Sequence, residues 1–290
     1  MHDPGEPGAR AETIDELHEI WKRIYRSIGK RKTLTAETVR FAGTLLAADQ
    51  PSRPLNEEKA VETLVNQCAT PRKVIECANW INKIVDVEER LWSDRRRHAV
   101  TRILQARLVA VAILLRDFAP DQEGELLDRW EKVTFKIYGL ADNDARTKVG
   151  DYVRLAWRIA RDEIDIGDIR VELSKIGDDV PIEGAAKKLE NRNCYEGWSE
   201  ELRYFLYCYD EDRAMKAGHA INEQCWKKIW SDASPQDDAT AQLPSAAGGA
   251  PERHFQYSIA QAISSRSLSL TEVSFQILFP AICLPIKIVE

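Results

Sequence analysis

Two acidic and two basic residues in the middle of the chain could support metal-ion chemistry. Asp142, Asp144, Arg146 and Lys148 follow one another at every second position. Paired carboxylates can hold a divalent metal ion, and a nearby lysine can stabilise the negative charge that develops during cleavage of a phosphodiester. Aspartate is also preferred at the start of a helix, where its side chain accepts a backbone N–H. The apolar helical stripe that follows favours helix capping over metal binding.

Four arginines form the most basic segment of the chain. Arg95, Arg96 and Arg97 are consecutive, and Arg102 follows them. The arginine guanidinium matches the geometry of a phosphate group, so these four residues are the candidate nucleic-acid-binding site. The alternative is a solvated helix face on which the arginines pair with neighbouring acids, which would be Glu88, Glu89 and Asp94.

An aromatic cluster, the cysteines and the histidines offer less specific chemistry. The aromatic side chains of ELRYFLYCYDE could stack on nucleic-acid bases, but only one arginine accompanies them. Core packing is the alternative, with a buried face made of Leu202, Phe205, Leu206 and Tyr209. The six cysteines and five histidines lack the spacing of a zinc site. We therefore predict reduced, mostly buried thiols, no metal and no other cofactor.

Helical periodicity extends through almost the whole chain before residue 232. Thr13 is predicted to cap a first helix whose apolar residues recur at steps of three and four, from Ile14 to Ile28. A second helix covers 35–48, Asn56 caps the third, and Pro71 opens the fourth. Later helices are predicted at about 166–176, 182–190, 197–217 and 219–231.

The segment 88–117 is predicted to form the centre of the core, as one long helix or two abutting helices. Its second half, ILQARLVAVAILL, is apolar on nearly every side, which is typical of a helix in the middle of a bundle. Hairpin signals flanked by alternating apolar residues are missing before residue 232. The predicted fold class is all-α, an irregular multi-helix bundle.

Composition divides the chain into three parts. Residues 1–11 are rich in proline, glycine and charge and are predicted to be a disordered N-terminus. Residues 12–232 are the predicted helical bundle domain. Charged residues become sparse after that point, and 233–290 are predicted to be a low-charge linker and a poorly ordered tail.

The overall balance of charge and hydropathy limits the possible partners. The 290 residues are 44% apolar, which suffices for a sizeable core, and carry a formal net charge of −6. Such a chain does not attract nucleic acid as a whole, so any contact with DNA must come from a local basic patch. No apolar run is long enough for a membrane span, and the N-terminus differs from a secretory signal. We therefore predict no membrane partner and a cytoplasmic location.

Several segments occur in an order that resembles the helical middle of the GmrSD-type, modification-dependent restriction endonucleases. They are SRPLNEEKAVETL, VTRILQARLVAVAILL, WEKVTFKIYGL with the following AWRI, CYEGWSEELRYFLYCYDE and NEQCWKKIW, all between residues 12 and 232. Intact members of this family carry a ParB-like nuclease domain in front of the helical region and an HNH nuclease domain behind it. The resemblance implies a region that couples a nucleotide-dependent sensing domain to a DNA-cutting domain.

The resemblance does not extend to catalytic residues. The His-x-x-Pro-type motif expected soon after CWKKIW is missing, since His254 is followed by Phe-Gln-Tyr. We therefore predict a non-catalytic scaffold of a restriction, or phage-defence, protein, in a truncated member of the family. Its partners would be DNA through the arginine segment, an intact homologue or another protein. The alternative is an autonomous α-helical protein–protein interaction module with no DNA contact.

Overall fold

The computed structural model describes residues 7–28, 34–94, 96–190 and 199–218, and most of these residues are helical. Within these ranges the helices are joined by turns and no strand occurs, which confirms the predicted all-α class. The chain divides into two units, Met1–Val180 and Pro181–Glu290, whereas the sequence predicts one domain over 12–232. The predicted linker and tail at 233–290, and the predicted helix at 219–231, lie outside the described residues.

The helices of the first unit are numbered in chain order. They are α1 (Pro7–Ile28), α2 (Leu34–Leu46), α3 (Glu57–Gln67), α4 (Pro71–Ser93), α5 (His98–Thr101), α6 (Leu104–Leu115), α7 (Pro120–Thr134), α8 (Val149–Ala160) and α9 (Ile166–Asp178). A π-helical turn, Phe135–Leu140, continues α7. The described helices of the second unit are α10 (Glu183–Glu190) and α11 (Ser199–Lys216).

Helix α6 is the core of the first unit. Every residue from Gln105 to Leu114 is buried, as its all-round apolar character predicts. Helices α4, α7 and α8 pack against it. Full burial of one aliphatic side chain stabilises a protein by about 1.5–3 kcal/mol, so this helix is a major source of folding free energy.

Local sequence signals account for the starts of α3 and α4. The side chain of Asn56 accepts the backbone N–H of Lys59 at 3.0 Å, and Pro71 occupies the first turn of α4 behind Thr70, as predicted. Helix α1 differs from the prediction, because it begins at Pro7 within the predicted disordered segment. Thr13 is therefore an internal helix residue and not a cap. Pro7 opens the helix and the two alanines that follow favour it.

Helices α2 and α3 approach so closely that only glycine fits at their contact. A carbon atom added to buried Gly43 would lie 2.5 Å from the Cα atom of Ala60 and 2.8 Å from its carbonyl oxygen. These are backbone atoms of the neighbouring helix, so they cannot move aside as a flexible side chain would. The glycine therefore sets the distance between the two helices.

The variant Gly43→Ala is expected to lower the free energy of unfolding by about 1–3 kcal/mol, because the added methyl overpacks this contact. Gly124→Ala in α7 is the matched control, since nothing lies within 4 Å of the added carbon. The control should be neutral or stabilising by up to about 1 kcal/mol, as alanine has the higher helix propensity. Urea unfolding followed by circular dichroism measures both, and equal effects at the two sites would show that the contact does not constrain the fold.

The aromatic cluster of the second unit contributes buried side chains to α11. Tyr204 and Tyr207 are buried, whereas Phe205, Leu206 and Tyr209 are only half-buried. The core alternative is thus supported, but the predicted face was wrong, because the buried positions are three residues apart at 204 and 207. Leu202 lies among the residues whose side chains the structure does not describe.

Other sequence expectations bear on cysteines, metals and membranes. Cys68, Cys77 and Cys208 are in the thiol form, and of these only Cys77 is buried. Among the described residues no three His, Cys, Asp or Glu side chains converge as metal ligands would. No helix in the described ranges is both long and apolar enough to cross a membrane.

Candidate functional site

The predicted arginine segment connects α4 to α6 and is not part of one long helix. Helix α4 ends at Ser93, the short helix α5 follows at His98–Thr101, and α6 begins at Leu104. Arg96 and Arg97 lie in the turn before α5, and Arg102 is exposed in the turn after it. Arg95 lies outside the described residues. The structure therefore separates Arg102 from the other described arginines by one turn of helix.

Arg96 and Arg97 belong to a group of charges that we call the α4–α7 ion-pair cluster, which comprises Asp94, Arg96, Arg97, Asp128 and Glu131. The guanidinium of Arg96 donates to Asp128 at 2.9 Å and to Glu131 at 3.0 Å. Arg97 donates to Asp94 and Asp128, each at 2.5 Å, and its Nε lies 3.2 Å from Glu131. Each arginine thus bridges acids of α7, and Arg97 also bridges them to the end of α4.

Burial makes this cluster a structural contact more than a charged surface. The side chain of Glu131 is 2% exposed and that of Arg97 is 14% exposed. Burial works to lower the pKa of Arg97, but the charges of Glu131 and Asp94 more than offset it and raise that pKa above its ordinary value. Arg97 is therefore permanently charged and held beside carboxylates. With two arginines against three acids, the cluster carries no excess positive charge.

The sequence predicted only part of this cluster. Asp94 was expected as a partner, whereas Asp128 and Glu131 come from a helix distant in sequence. Its position could nevertheless have indicated a buried ion pair at Glu131. This residue follows Leu127 by four positions and precedes Thr134 by three, and Leu127 and Thr134 are both buried. An acid on the buried stripe of a helix requires a cationic partner.

A second group of charges lies deeper, at the start of α6, and we call it the α6 ion-pair cluster: Glu37, Thr38, Glu88 and Arg107. Arg107 donates to Glu37 and, at 2.9 Å, to the backbone oxygen of Thr101. Its Nε lies 3.6 Å from Glu88, which also accepts the hydroxyl of Thr38. The side chain of Arg107 is 2% exposed and that of Glu88 is 0% exposed. These charges join α2, α4 and α6 inside the core.

Aromatic rings enclose the Arg107 guanidinium. Its central carbon lies 4.9 Å from the centre of the Trp92 ring and 5.4 Å from that of Phe41. Cation–π contacts of this kind gain strength where water is excluded. The rings and acids together explain how one arginine is accommodated in an otherwise apolar helix.

Glu88 is the acid in this cluster whose pKa is most affected by burial. Desolvation raises its pKa from 4.5 to about 7, although the hydrogen bond from Thr38 and the charge of Arg107 act in the opposite direction. The 3.6 Å separation from Arg107 is long for a charge-assisted hydrogen bond, so the arginine offsets only part of the desolvation. Glu88 consequently changes its protonation state near neutral pH.

The stability of the protein is expected to depend on pH through Glu88. Between pH 4.5 and 7 the folded protein holds a proton on Glu88 that the unfolded chain releases. The stability that this group contributes is therefore complete below pH 4.5 and is lost as the pH rises through 7. Glu88→Gln should remove that loss. The free energy of unfolding of the variant minus that of wild type should therefore increase by roughly 2–3 kcal/mol between pH 4.5 and 7. Denaturant unfolding at a series of pH values measures the difference.

The matched control for this pH series is Glu62→Gln, a substitution at an exposed position of α3. The stability of the control relative to wild type should stay nearly constant from pH 4.5 to 7. If the Glu88 variant and the control follow parallel curves, Glu88 does not titrate as described.

The acidic pair at the end of the π-helical turn forms a loop that precedes α8. The carboxylate of Asp144 accepts the backbone N–H of Arg146 at 2.7 Å and so closes a turn. The N-cap of α8 is Lys148, in a left-handed conformation with φ 59°, and therefore the prediction of an Asp142, Asn143 or Asp144 helix cap was wrong. A turn of four residues, 145–148, separates Asp144 from the helix, and the aspartate stabilises that turn instead.

The same loop does not bring metal-binding residues together. The ammonium group of Lys148 lies 2.6 and 2.8 Å from the two carboxylate oxygens of Asp179. It therefore pairs with α9 and not with Asp142 or Asp144, both of which are exposed. The geometry gives the nuclease alternative neither a third ligand in the described residues nor a lysine beside the acids.

Polar side chains tie this loop to the core. The hydroxyl of Tyr138 donates to the backbone oxygen of Thr147 at 2.5 Å and accepts the amide of Gln105 at 2.9 Å. Gln105 also donates to the backbone oxygen of Ala145. Burial raises the pKa of Tyr138, so its hydroxyl stays protonated and remains a donor. The loop is thus held onto α6 by two hydrogen-bonding side chains.

Tryptophans of the segment that carries the family resemblance also serve packing. The indole N–H of Trp130 donates to the backbone oxygen of Ala106 at 2.7 Å, and that of Trp157 donates to Ala47 at 2.9 Å. Both side chains are buried. Their polar atoms are therefore satisfied by neighbouring backbone groups, as buried tryptophans require.

Comparison of the chain with protein families, with curated proteins and with solved structures yields no match.

Proposed function

We propose that this chain is a non-catalytic helical scaffold and that it corresponds to the connector region of a GmrSD-type restriction, or phage-defence, protein. The resemblance in sequence suggests the family. The structure supports a scaffold, because two of the resembling segments, at 100–115 and 130–140, consist mainly of buried residues. In such a protein the helical region would transmit a signal between the sensing and cutting domains.

The observation that carries the proposal is that charged side chains form buried ion pairs between helices. Arg97 and Arg107 are the most buried arginines of the two ion-pair clusters, and each joins helices through acids. Loss of one partner from a buried ion pair leaves an uncompensated buried charge, so each pair favours the helix packing that keeps both partners together. Such pairs suit a scaffold in which the relative positions of helices matter.

A cleavage assay tests the non-catalytic part of the proposal. The full chain with Mg²⁺ and nucleoside triphosphate should leave both unmodified and base-modified duplex DNA uncut. Asp144→Asn, which would abolish activity if the acidic loop were catalytic, should behave like wild type. Cleavage by the wild type that Asp144→Asn abolishes would establish an enzyme instead.

A salt titration of duplex DNA binding tests the arginine segment. Arg102 is exposed in the turn after α5, so it is the arginine of this segment whose contact with phosphate is tested. Arg102→Ala should weaken binding and reduce the salt dependence by about one phosphate contact. Arg72→Ala, at a 90% exposed arginine of α4, is the control and should change neither.

An interaction module without DNA contact remains the second candidate, and helix α1 favours it. Ile14, Trp21 and Tyr25 on this helix are exposed, although side chains of this size are more common in cores or interfaces. The absence of salt-dependent binding to DNA, together with no effect of Arg102→Ala, would favour this candidate over the scaffold of a DNA-cutting protein.

A further inference from the structure

Two cysteines lie close together where α3 ends and α4 begins. Cys68 is the C-cap of α3, and Cys77 lies in the second turn of α4. The thiol of Cys68 donates to the backbone oxygen of Leu64 at 3.3 Å, and the thiol of Cys77 donates to the same oxygen at 3.9 Å. One carbonyl group of α3 therefore brings together the sulfur atoms of two helices.

The two thiols also interact with each other. Burial raises the pKa of Cys77 to about 12, and a hydrogen bond and charge interaction with Cys68 act in the same direction. Cys68 lies one residue beyond the end of α3, where its backbone N–H still bonds to the carbonyl oxygen of Val65. Its side chain can therefore turn towards Cys77 without breaking the helix.

The two thiols differ in their access to solvent. Cys68 is half-buried, whereas Cys77 is buried and 8% exposed. A small oxidant reaches an accessible sulfur first, and a buried thiol that keeps its proton is a poor nucleophile. Cys68 is therefore the thiol that an oxidant attacks, and Cys77 is the thiol next to the oxidised product.

We propose that Cys68 and Cys77 are a peroxide-sensitive pair, which hydrogen peroxide converts to a disulfide within one chain. Cys68 loses its proton and its sulfur attacks a peroxide oxygen, so an S–O bond forms, the O–O bond breaks, and the departing hydroxide leaves as water. Cys77 then loses its proton and attacks the sulfenic sulfur, so the S–S bond forms, the S–O bond breaks, and a second water leaves. The two thiols are oxidised by two electrons, which the peroxide gains.

The disulfide would fasten a helix that has few buried contacts of its own. Only Ala60 and Leu64 of α3 are buried. The contact between Ala60 and Gly43 already holds the first half of this helix against α2. A bond between Cys68 and Cys77 would hold its other end against α4. This inference does not rest on the scaffold function and is compatible with both candidate functions.

Tryptic peptide mapping without reductant tests the disulfide, because the two cysteines lie on separate peptides, 60–72 and 74–83. The folded full chain is treated with hydrogen peroxide, unfolded in iodoacetamide to block the remaining thiols, and digested. The two peptides should appear as one linked species that dithiothreitol separates. Cys208→Ser is the matched control, since Cys208 is also half-buried, and it should give the same linked species.

Two results of the mapping would overturn the proposal. One is recovery of both peptides with alkylated thiols after peroxide treatment. The other is a Cys68 that ends mainly as a sulfinic acid or linked to a different cysteine. Wild type suffices for this test, so it does not depend on the folding of a variant. The cleavage and DNA-binding assays can be run in dithiothreitol, so either proposal can fail without the other.

Single serine variants test the order of the two steps. In Cys77→Ser the sulfenic acid of Cys68 lacks its resolving thiol, so dimedone, which reacts with sulfenic acids, should label Cys68. In Cys68→Ser the buried Cys77 should stay a thiol and remain unlabelled. Labelling of Cys77 in that variant, with no labelling of Cys68 in the other, would contradict the assigned roles.

Urea unfolding tests the effect of the bond on the fold. Oxidised wild type should have an equilibrium constant for unfolding at least about tenfold lower than the same protein in dithiothreitol, because the cross-link restricts the unfolded chain. The peroxide-treated Cys68→Ser variant should show no such difference. Linked wild type that unfolds at the same or a lower urea concentration than the reduced protein would contradict the fastening of α3 to α4.

Discussion

Replacement of Arg107 by alanine is expected to lower the free energy of unfolding by about 3–5 kcal/mol, because it removes the only arginine of the α6 ion-pair cluster. Glu88, which is 0% exposed, would lose its nearby positive charge in a site that water does not reach. The contacts with the rings of Trp92 and Phe41 would also be lost. Guanidinium chloride unfolding measures the change.

Two further variants separate the charge from the volume of Arg107. Arg107→Met combined with Glu88→Gln keeps most of the packing and removes both charges, so it should recover much of the lost stability. Arg72→Ala, which removes an exposed arginine of α4, should change stability by no more than about 0.5 kcal/mol. A loss in Arg107→Ala as small as that of the control would contradict the structural role of this cluster.

Replacement of Trp130 by alanine is expected to cost about 3–5 kcal/mol as well, through a cavity beside α6. Trp130 is 0% exposed and is among the largest fully buried side chains in the described part of the chain. Trp130→Phe keeps much of the volume and loses mainly the hydrogen bond to Ala106, which is 2.7 Å long. That variant should cost only about 1–2 kcal/mol.

Circular dichroism is the appropriate probe for this pair of variants, because the substitution itself alters tryptophan fluorescence. The predicted order of stability, from highest to lowest, is wild type, Trp130→Phe and Trp130→Ala. If Trp130→Ala unfolds at the same denaturant concentration as wild type, the segment from α7 to α8 is not part of the core. The segment that carries Trp130 and Trp157 would then not stabilise the packing of the bundle.

The sequence predicted the core well where periodicity was unambiguous. Helix α6 has apolar residues on all sides, and a helix of that kind has only one stable place in a bundle. The start of α4 followed from Pro71, because a proline in the first turn is a local signal. Helix α1 began earlier than predicted, since a cap at Thr13 competed with a run of residues that also favour helix.

The partners of the charged residues could not be predicted in the same way. Asp128 and Glu131 meet Arg96 and Arg97 only because α7 packs beside the end of α4, and sequence spacing does not reveal such tertiary contacts. Arg107 nevertheless indicated a buried ion pair, because a charged side chain within the apolar run ILQARLVAVAILL requires an acidic partner. Its partner Glu88 lies on the apolar stripe of α4, four residues after Ile84 and three before Leu91.

The loop before α8 shows why a local rule can select the wrong residue. Asp142, Asn143 and Asp144 are all good cap residues. However, the turn at 145–148 lies between them and the start of α8. Hydrogen bonds from Tyr138 and Gln105 hold that turn in place. Tertiary hydrogen bonds therefore outweighed the local preference for an aspartate cap.

The central structural role of the arginine segment is to join α4 to α7 through the α4–α7 ion-pair cluster. A double-mutant cycle between Arg97→Gln and Glu131→Gln, measured by denaturant unfolding, tests it most directly, with the exposed pair Asp151 and Arg154 as the reference cycle. We expect a coupling of about 1–3 kcal/mol between Arg97 and Glu131, against less than about 0.5 kcal/mol for the exposed pair. Equal, near-zero coupling in the two cycles would contradict it.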